Sequence, residues 1–236
     1  MKDCRFCDLD NTLIFSHRHD VGEKMVVEYL DGKEQSYMQM HIYEMFCKTE
    51  KIIVPLTSRT CVQYERIELP VFPQYALLDN GGILLINGEK DEAWISDTFN
   101  LVSEDLEKMR CLQSELIQYG EIKWQDDLVI FLKLTNIEDS VVVKNIAEDN
   151  NLLFFEHGNK RYICSKKMNK GMAIKRFRDR FNVEKAFMAG DSLVDADTAP
   201  FVDVLYLPFE LKSEIPDDAN VTYVGKLELA ERILRG

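Results

Sequence analysis

A chain of 236 residues, 46% hydrophobic and 30% charged, carries enough apolar material for one large domain or for a core with a small insert. Its formal net charge of -12 argues against wholesale attachment to nucleic acid or to an acidic membrane surface. The six cysteines, at positions 4, 7, 47, 61, 111 and 164, follow no disulfide spacing and read as reduced thiols, and no apolar run approaches the roughly 18 residues of a membrane helix. The N-terminal MKDCRFCDLD has neither a long apolar core nor a cleavage-type site, so the expectation is a cytoplasmic protein with no nucleic-acid or membrane partner.

Residues 4 to 8 read as a short buried strand that stops at Asp8, with a second carboxylate, Asp10, two residues further on. Cys4 and Cys7 form a CxxC, but positions 4 and 7 of an extended segment point to opposite faces, and no second CxxC completes a zinc site. Next come Ser16-His17-Arg18-His19 and then two strand-like runs, Met25 to Leu30 and Lys33 to Tyr37, around Asp31-Gly32. That dipeptide is a two-residue hairpin signal, and the hairpin would form a flap beside the site, with His17 and His19 as solvated flap residues. Met38, His41, Ile42, Met45 and Phe46 recur at helical spacing. Lys51 to Leu56 is a second buried strand, tipped by the Thr57 hydroxyl, and Thr60 to Ile67 a short helix closed by Pro70 and Pro73.

At Tyr75 the texture changes. Tyr75 to Leu78, Asn80-Gly81 and Ile83 to Ile86 suggest a hairpin opening a new unit. A long helix is predicted over Asp97 to Tyr119, and strands near Glu121 to Gln125 and Leu128 to Leu134. A helix capped by Asn136 or Glu138 follows, and then a strand pair, Leu152 to Glu156 with Lys160 to Cys164. Helix, two strands, helix, two strands is a compact α+β pattern with no obvious catalytic cluster. The alternating texture then returns: a helix from Lys170, a strand Lys185 to Ala189 ending at Gly190-Asp191, strands Val202 to Leu207 and Val221 to Val224, and a closing helix Leu227 to Leu234. This is an α/β fold, a Rossmann-like parallel sheet covered by helices with an inserted α+β unit. The expected division is 1–81 with 166–236 as the core domain and 82–165 as the insert.

Singly, the polar pieces have ordinary readings: Asp10-Asn11-Thr12 as a turn, Lys170 as a surface lysine, Asp191 as a helix cap. In series they do more. Cys7-Asp8-Leu9-Asp10-Asn11-Thr12-Leu13, then Leu56-Thr57-Ser58-Arg59, then Lys170-Gly171, then Gly190-Asp191-Ser192 with Asp195 stand at strand or helix ends, in the order of the four motifs of the haloacid dehalogenase superfamily of phosphohydrolases, which the chain resembles. A phosphate dianion repels an attacking carboxylate unless positive groups neutralise it. Lys170 supplies an ammonium, Thr57 a hydroxyl and neighbouring N–H groups, and Asp8 with Asp191 suits Mg²⁺.

The resemblance implies the division of roles. Asp8 is the nucleophile that forms a phosphoaspartate, and Asp10 protonates the leaving group, then activates water and lends its carbonyl to the metal. Asp195 completes the metal set of Asp8, Asp10 and Asp191 or holds the lysine. Thr57, Ser58, Arg59, Asn80 and Lys170 are then the substrate-binding set, and the insert resembles a C2-type cap of the Cof-like and sugar-phosphatase branch, which closes over the leaving group. The implied activity is Mg²⁺-dependent hydrolysis of a small phosphorylated metabolite, a sugar phosphate above others. A phosphomutase of the phosphomannomutase type and a non-catalytic phosphate-binding protein are the alternatives. The second motif reads Thr57-Ser58-Arg59 where TGR is usual, and Val194 stands where many Cof-like members carry an amide. Lys160 to Arg180 is rich in Lys and Arg, and a solvated helix face accounts for most of them, with Arg161 or Lys170 sufficient for a local positive field.

Overall fold

The computed structural model describes residues 1–157, 159–215 and 219–235. The chain divides into two compact units, Met1–Asp91 with Asn169–Gly236, and Glu92–Met168. The first unit begins with β1 (Asp3–Cys7), β2 (Phe15–Ser16), β3 (Lys24–Leu30), β4 (Lys33–Gln39), α1 (Met40–Lys48), β5 (Ile53–Pro55), α2 (Cys61–Tyr64), β6 (Tyr75–Leu78), β7 (Ile83–Ile86) and β8 (Glu89–Lys90). The second holds α3 (Glu92–Leu116), β9 (Gly120–Gln125), β10 (Val129–Leu134), α4 (Ser140–Asp149), β11 (Leu152–His157) and β12 (Lys160–Ser165). The first unit then resumes with α5 (Lys170–Phe181), β13 (Lys185–Ala189), α6 (Leu193–Ala196), β14 (Val204–Pro208), β15 (Val221–Val224) and α7 (Leu229–Arg235).

In the first unit five parallel strands run in the order β15-β14-β13-β1-β5. The chain leaves β1 toward β5 on one side and returns through β13 on the other, so a crevice opens at the carboxyl ends of these three strands. Both faces are covered. Phe6 points to α5, where Phe177 meets it edge-on with ring centroids 5.4 Å apart, and Tyr75 and Phe181 add rings at 5.3 and 4.5 Å from Phe177. Each such aromatic pair contributes about 0.5–1.5 kcal/mol beyond its buried area. The preceding residue, Arg5, points to the opposite face, donates to the Ile233 carbonyl of α7 at 3.0 Å and lies over the Phe187 ring.

Beside this sheet, β3 and β4 form the expected hairpin. Asp31 and Gly32 both take positive φ, 50° and 73°, the turn geometry that matches the twist of the flanking strands. The β6–β7 hairpin does not open the second unit. β7 pairs with both β6 and β8, and Leu77 bridges to Leu56 beside β5, so hydrogen bonding keeps 82–91 with the first unit. At the other edge residues 166–168 stay with the second unit. Two other expectations change: His41 lies on the exposed side of α1, whose buried residues are Ile42 and Phe46, and α2 is a single turn, capped by Thr60.

The second unit is an antiparallel sheet, β11-β12-β10-β9, with α3 and α4 on one face. Alternation decides that face: Ile130, Leu132 and Leu134 of β10 and Ile163 of β12 are buried with Val102, Leu106 and Met109 of α3 and Val143 and Ala147 of α4. Asp105 of α3 accepts from Ser165 of β12 at 2.6 Å and from Lys108 at 2.9 Å. Arg161 is buried, with Nε donating to Ser140 of α4 at 2.6 Å and lying 3.2 Å from Glu156. It ties β12 to α4, so of the two cations offered for a local positive field, Arg161 or Lys170, this one is engaged within the second unit. Among the described residues no helix is long and apolar enough to cross a membrane.

Candidate active site

The crevice at the strand ends gathers most of the expected residues. Asp8 follows directly on β1, its N–H donating to the Ala189 carbonyl at 2.9 Å, so its carboxylate leaves the sheet at the switch point. Thr57 stands two residues beyond β5 and Asp191 two beyond β13. α5 starts at Lys170 because Asn169 caps it, its Oδ1 accepting from the Met172 N–H at 2.9 Å. The cap fixes where the lysine emerges.

Lys170 Nζ donates to Asp8 Oδ1 at 2.7 Å and to Asp195 Oδ1 at 2.6 Å, with all three side chains buried. Asp195 is saturated: its Oδ2 accepts from the Ser192 N–H at 3.0 Å and the Ser192 hydroxyl at 2.6 Å, closing the capping box of α6. Both oxygens being engaged, Asp195 is built to hold the lysine. Gly190 permits this, since a Cβ there would lie 2.2 Å from Asp195 Cγ. Burial works to lower the Lys170 pKa, but Asp195 and Asp8 outweigh it and hold it above the ordinary lysine range. Burial pushes the Asp8 carboxyl up to about 8, against the pull of Lys170 and with the push of Asp195 and Asp10.

Asp8, Asp191 and Asp195 place one carboxylate oxygen each within 4.8 Å of one another. Asp8 Oδ2, Asp191 Oδ1 and the Asp10 carbonyl take no hydrogen bond among the described residues. Open oxygens beside a carboxylate that burial keeps from ionising are what a small hard cation would satisfy, so the donor set fits Mg²⁺. Burial also raises the Asp191 pKa, while Lys226, 2.9 Å from its Oδ2, pulls the other way. Lys226 carried no sequence signal, lying between a strand and a helix with no motif around it.

The second motif spends its polar groups differently from expectation. The Thr57 N–H donates to Leu77 and the Arg59 N–H to Thr57 Oγ1, so of the N–H groups expected at Thr57 that of Ser58 takes no acceptor among the described residues. The N–H groups of Leu9 and Asp10 are likewise free among the described residues. Arg59 sits on Asp10, Nε to Oδ2 at 2.8 Å and NH2 to Oδ1 at 2.7 Å, and its NH1 reaches Glu28 of β3 at 2.9 Å. The Asp10 side chain is 49% exposed against 14% for Arg59. Glu28 escaped the sequence reading because it lies inside a strand pattern far from any motif. Asn80 is buried in a left-handed turn, its N–H on the Thr57 carbonyl at 2.8 Å and its Oδ1 without a partner among the described residues. Val194 is exposed. Cys4 and Cys7 are buried free thiols, and burial pushes Cys4 up to about 12, which makes a redox role ill-suited.

No family model and no curated protein matches the sequence. Solved structures do. A sucrose-phosphatase from Synechocystis sp., in complex with sucrose and phosphate, matches at TM-score 0.67 and 15% identity over 98% of this chain and 96% of its own. A trehalose-6-phosphate phosphatase related protein matches at TM-score 0.59 and 17% identity, covering 98% and 95%. The C-terminal domain of a C. albicans trehalose-6-phosphate phosphatase matches at TM-score 0.61 and 10% identity, covering 99% and 92%. Likenesses at such low identity establish the architecture, and by it this chain carries the haloacid dehalogenase fold with an inserted α+β unit of the C2 type.

Proposed function

We propose that the chain is a Mg²⁺-dependent phosphatase of a small phosphorylated metabolite, a sugar phosphate above others, working through a phosphoaspartate on Asp8. The observation that carries this reading is the buried Asp8–Lys170–Asp195 triad at the end of β1, with Asp191 beside it. A buried carboxylate held by one lysine and left with an open oxygen suits in-line attack on a phosphoryl group. Asp8, Asp191 and the Asp10 carbonyl would hold the metal, which when bound neutralises charge on the phosphate and on Asp8.

The chain's own groups supply the rest. Lys170 and the free N–H groups of Leu9, Asp10 and Ser58 bind the phosphoryl oxygens, with the Thr57 hydroxyl beside them. Asp10, half exposed and forked by Arg59, gives a proton to the departing oxygen and takes one from water in the second step. The solved structures of similar fold include phosphatases of sucrose phosphate and trehalose phosphate by their descriptions, which supports a sugar phosphate as the substrate class. The test is phosphate release from p-nitrophenyl phosphate and a panel of sugar phosphates, with and without Mg²⁺. Release that needs metal and falls by ~10³-fold or more in Asp8→Asn is expected. Release undiminished by that substitution would overturn the assignment of Asp8.

A further inference from the structure

Glu28 is a buried carboxylate in a hairpin strand that an alternating pattern would not place inward. Val26 pairs with Tyr37 and Glu28 with Ser36, so Val27 is an extra residue in β3, and Val27 and Glu28 are both buried although adjacent. The bulge turns the Glu28 side chain inward. Burying a carboxylate is costly unless it is paired and hydrogen-bonded. Both its oxygens are engaged: Oε2 accepts from Ser36 at 2.6 Å, and Oε1 accepts from Arg59 NH1 at 2.9 Å with Arg66 Nε 3.5 Å away.

Arg59 therefore bridges two carboxylates with a planar group. Two of its nitrogens are spent on Asp10 and the third on Glu28. The guanidinium plane is rigid, so anchoring NH1 on the hairpin fixes the orientation of the fork on Asp10. Asp10 needs that anchor: its carboxylate is half exposed and takes no other hydrogen bond among the described residues.

We propose that Glu28 is a positioning residue, which acts through Arg59 to hold the Asp10 carboxyl where it serves the leaving oxygen. The inference rests on the phosphatase reading above. The proton matters to an alkyl ester, whose alkoxide is a poor leaving group, and hardly to p-nitrophenyl phosphate, whose phenolate departs unaided. Loosening Asp10 therefore separates the two esters, which a general loss of structure would not do.

The experiment compares kcat/KM for p-nitrophenyl phosphate and for the best sugar phosphate in wild type, Glu28→Ala and Glu28→Gln, with thermal midpoints and Mg²⁺ affinity as controls. Glu28→Ala is expected to lose about 30-fold on the alkyl ester and less than about 3-fold on the aryl ester, the first being part of the roughly 10²–10⁴-fold a general acid supplies. Glu28→Gln keeps an oxygen for NH1 and recovers most of the loss. If Glu28→Ala does not fold, Arg59→Lys, which keeps a charge without the fork, is expected to show the same ester-selective loss. Equal losses on both esters, or none on the alkyl ester, would overturn the role of Glu28 alone. Wild type that releases phosphate from neither ester would overturn the phosphatase reading and this inference with it.

Discussion

Asp8 sits between opposing influences, and the balance gives it a pH signature. The unfolded chain loses this proton near 3.8, whereas burial holds it on the native side chain up to about 8. Through that window ionising Asp8 works against the metal-free fold, so its contribution to stability falls as pH rises. A bound divalent cation favours the ionised carboxylate and reverses the sign. Mg²⁺ is thus expected to raise the thermal midpoint more at pH 8 than at pH 6. The difference should be roughly 2–4 °C, the shift that one kcal/mol makes in a domain of this size. Equal increments at the two pH values would contradict this assignment, and Asp191→Asn should abolish most of the increment. Gly190 offers a second test. A methyl there collides with Asp195, so Gly190→Ala is expected to cost about 1–3 kcal/mol in denaturant unfolding and to lower turnover by displacing Lys170. Unchanged activity would mean that Asp195 relaxes without moving the lysine.

Elements place these residues, and the local codes that build the elements were largely legible. Asp31-Gly32 and Asn87-Gly88 each supply two consecutive positive φ values, which is why those dipeptides turn hairpins wherever strands flank them. The bulge in β3 was not legible, because Val27-Glu28 looks like any alternating pair until Ser36 and Arg59 are placed opposite it. The link from Asp105 of α3 to Ser165 of β12 belongs to the same class, joining residues 60 positions apart. Burial works to raise the Asp105 pKa, but the Ser165 and Lys108 hydrogen bonds outweigh it and leave it below the ordinary carboxylate value of 3.8. Its contribution is therefore present above about pH 4 and lost as pH falls through the native value. Asp105→Asn should destabilise the second unit by about 1–2 kcal/mol at pH 7 and by progressively less as pH falls below 3.8, read by urea unfolding across that range. A pH-independent loss would assign the effect to packing instead.

At the scale of the whole molecule, the division into Met1–Asp91 with Asn169–Gly236 and Glu92–Met168 carries its own expectation. Each unit has a separate sheet and core, so they are distinct candidates for cooperative opening. Hydrogen exchange of Asp105→Asn should show faster exchange in β10–β12 and α4 and unchanged exchange in β1, β5 and β13. Uniform acceleration would show that the two units open as one. The sequence by itself determined the alternating strands and helices, the hairpin turns, the buried strand ends and the order of Asp8, Thr57, Lys170 and Asp191 along them. Periodicity and turn chemistry are local, and a strand that stops at a carboxylate announces its end wherever it lies. Only the tertiary structure decided how those carboxylates are neutralised: Lys170 shared by Asp8 and Asp195, Lys226 on Asp191, and Arg59 stretched from Asp10 to Glu28. Each of these pairings joins residues 25 or more positions apart, and the charge that balances a buried group is set by what folding brings within a few ångströms, which the local pattern does not encode.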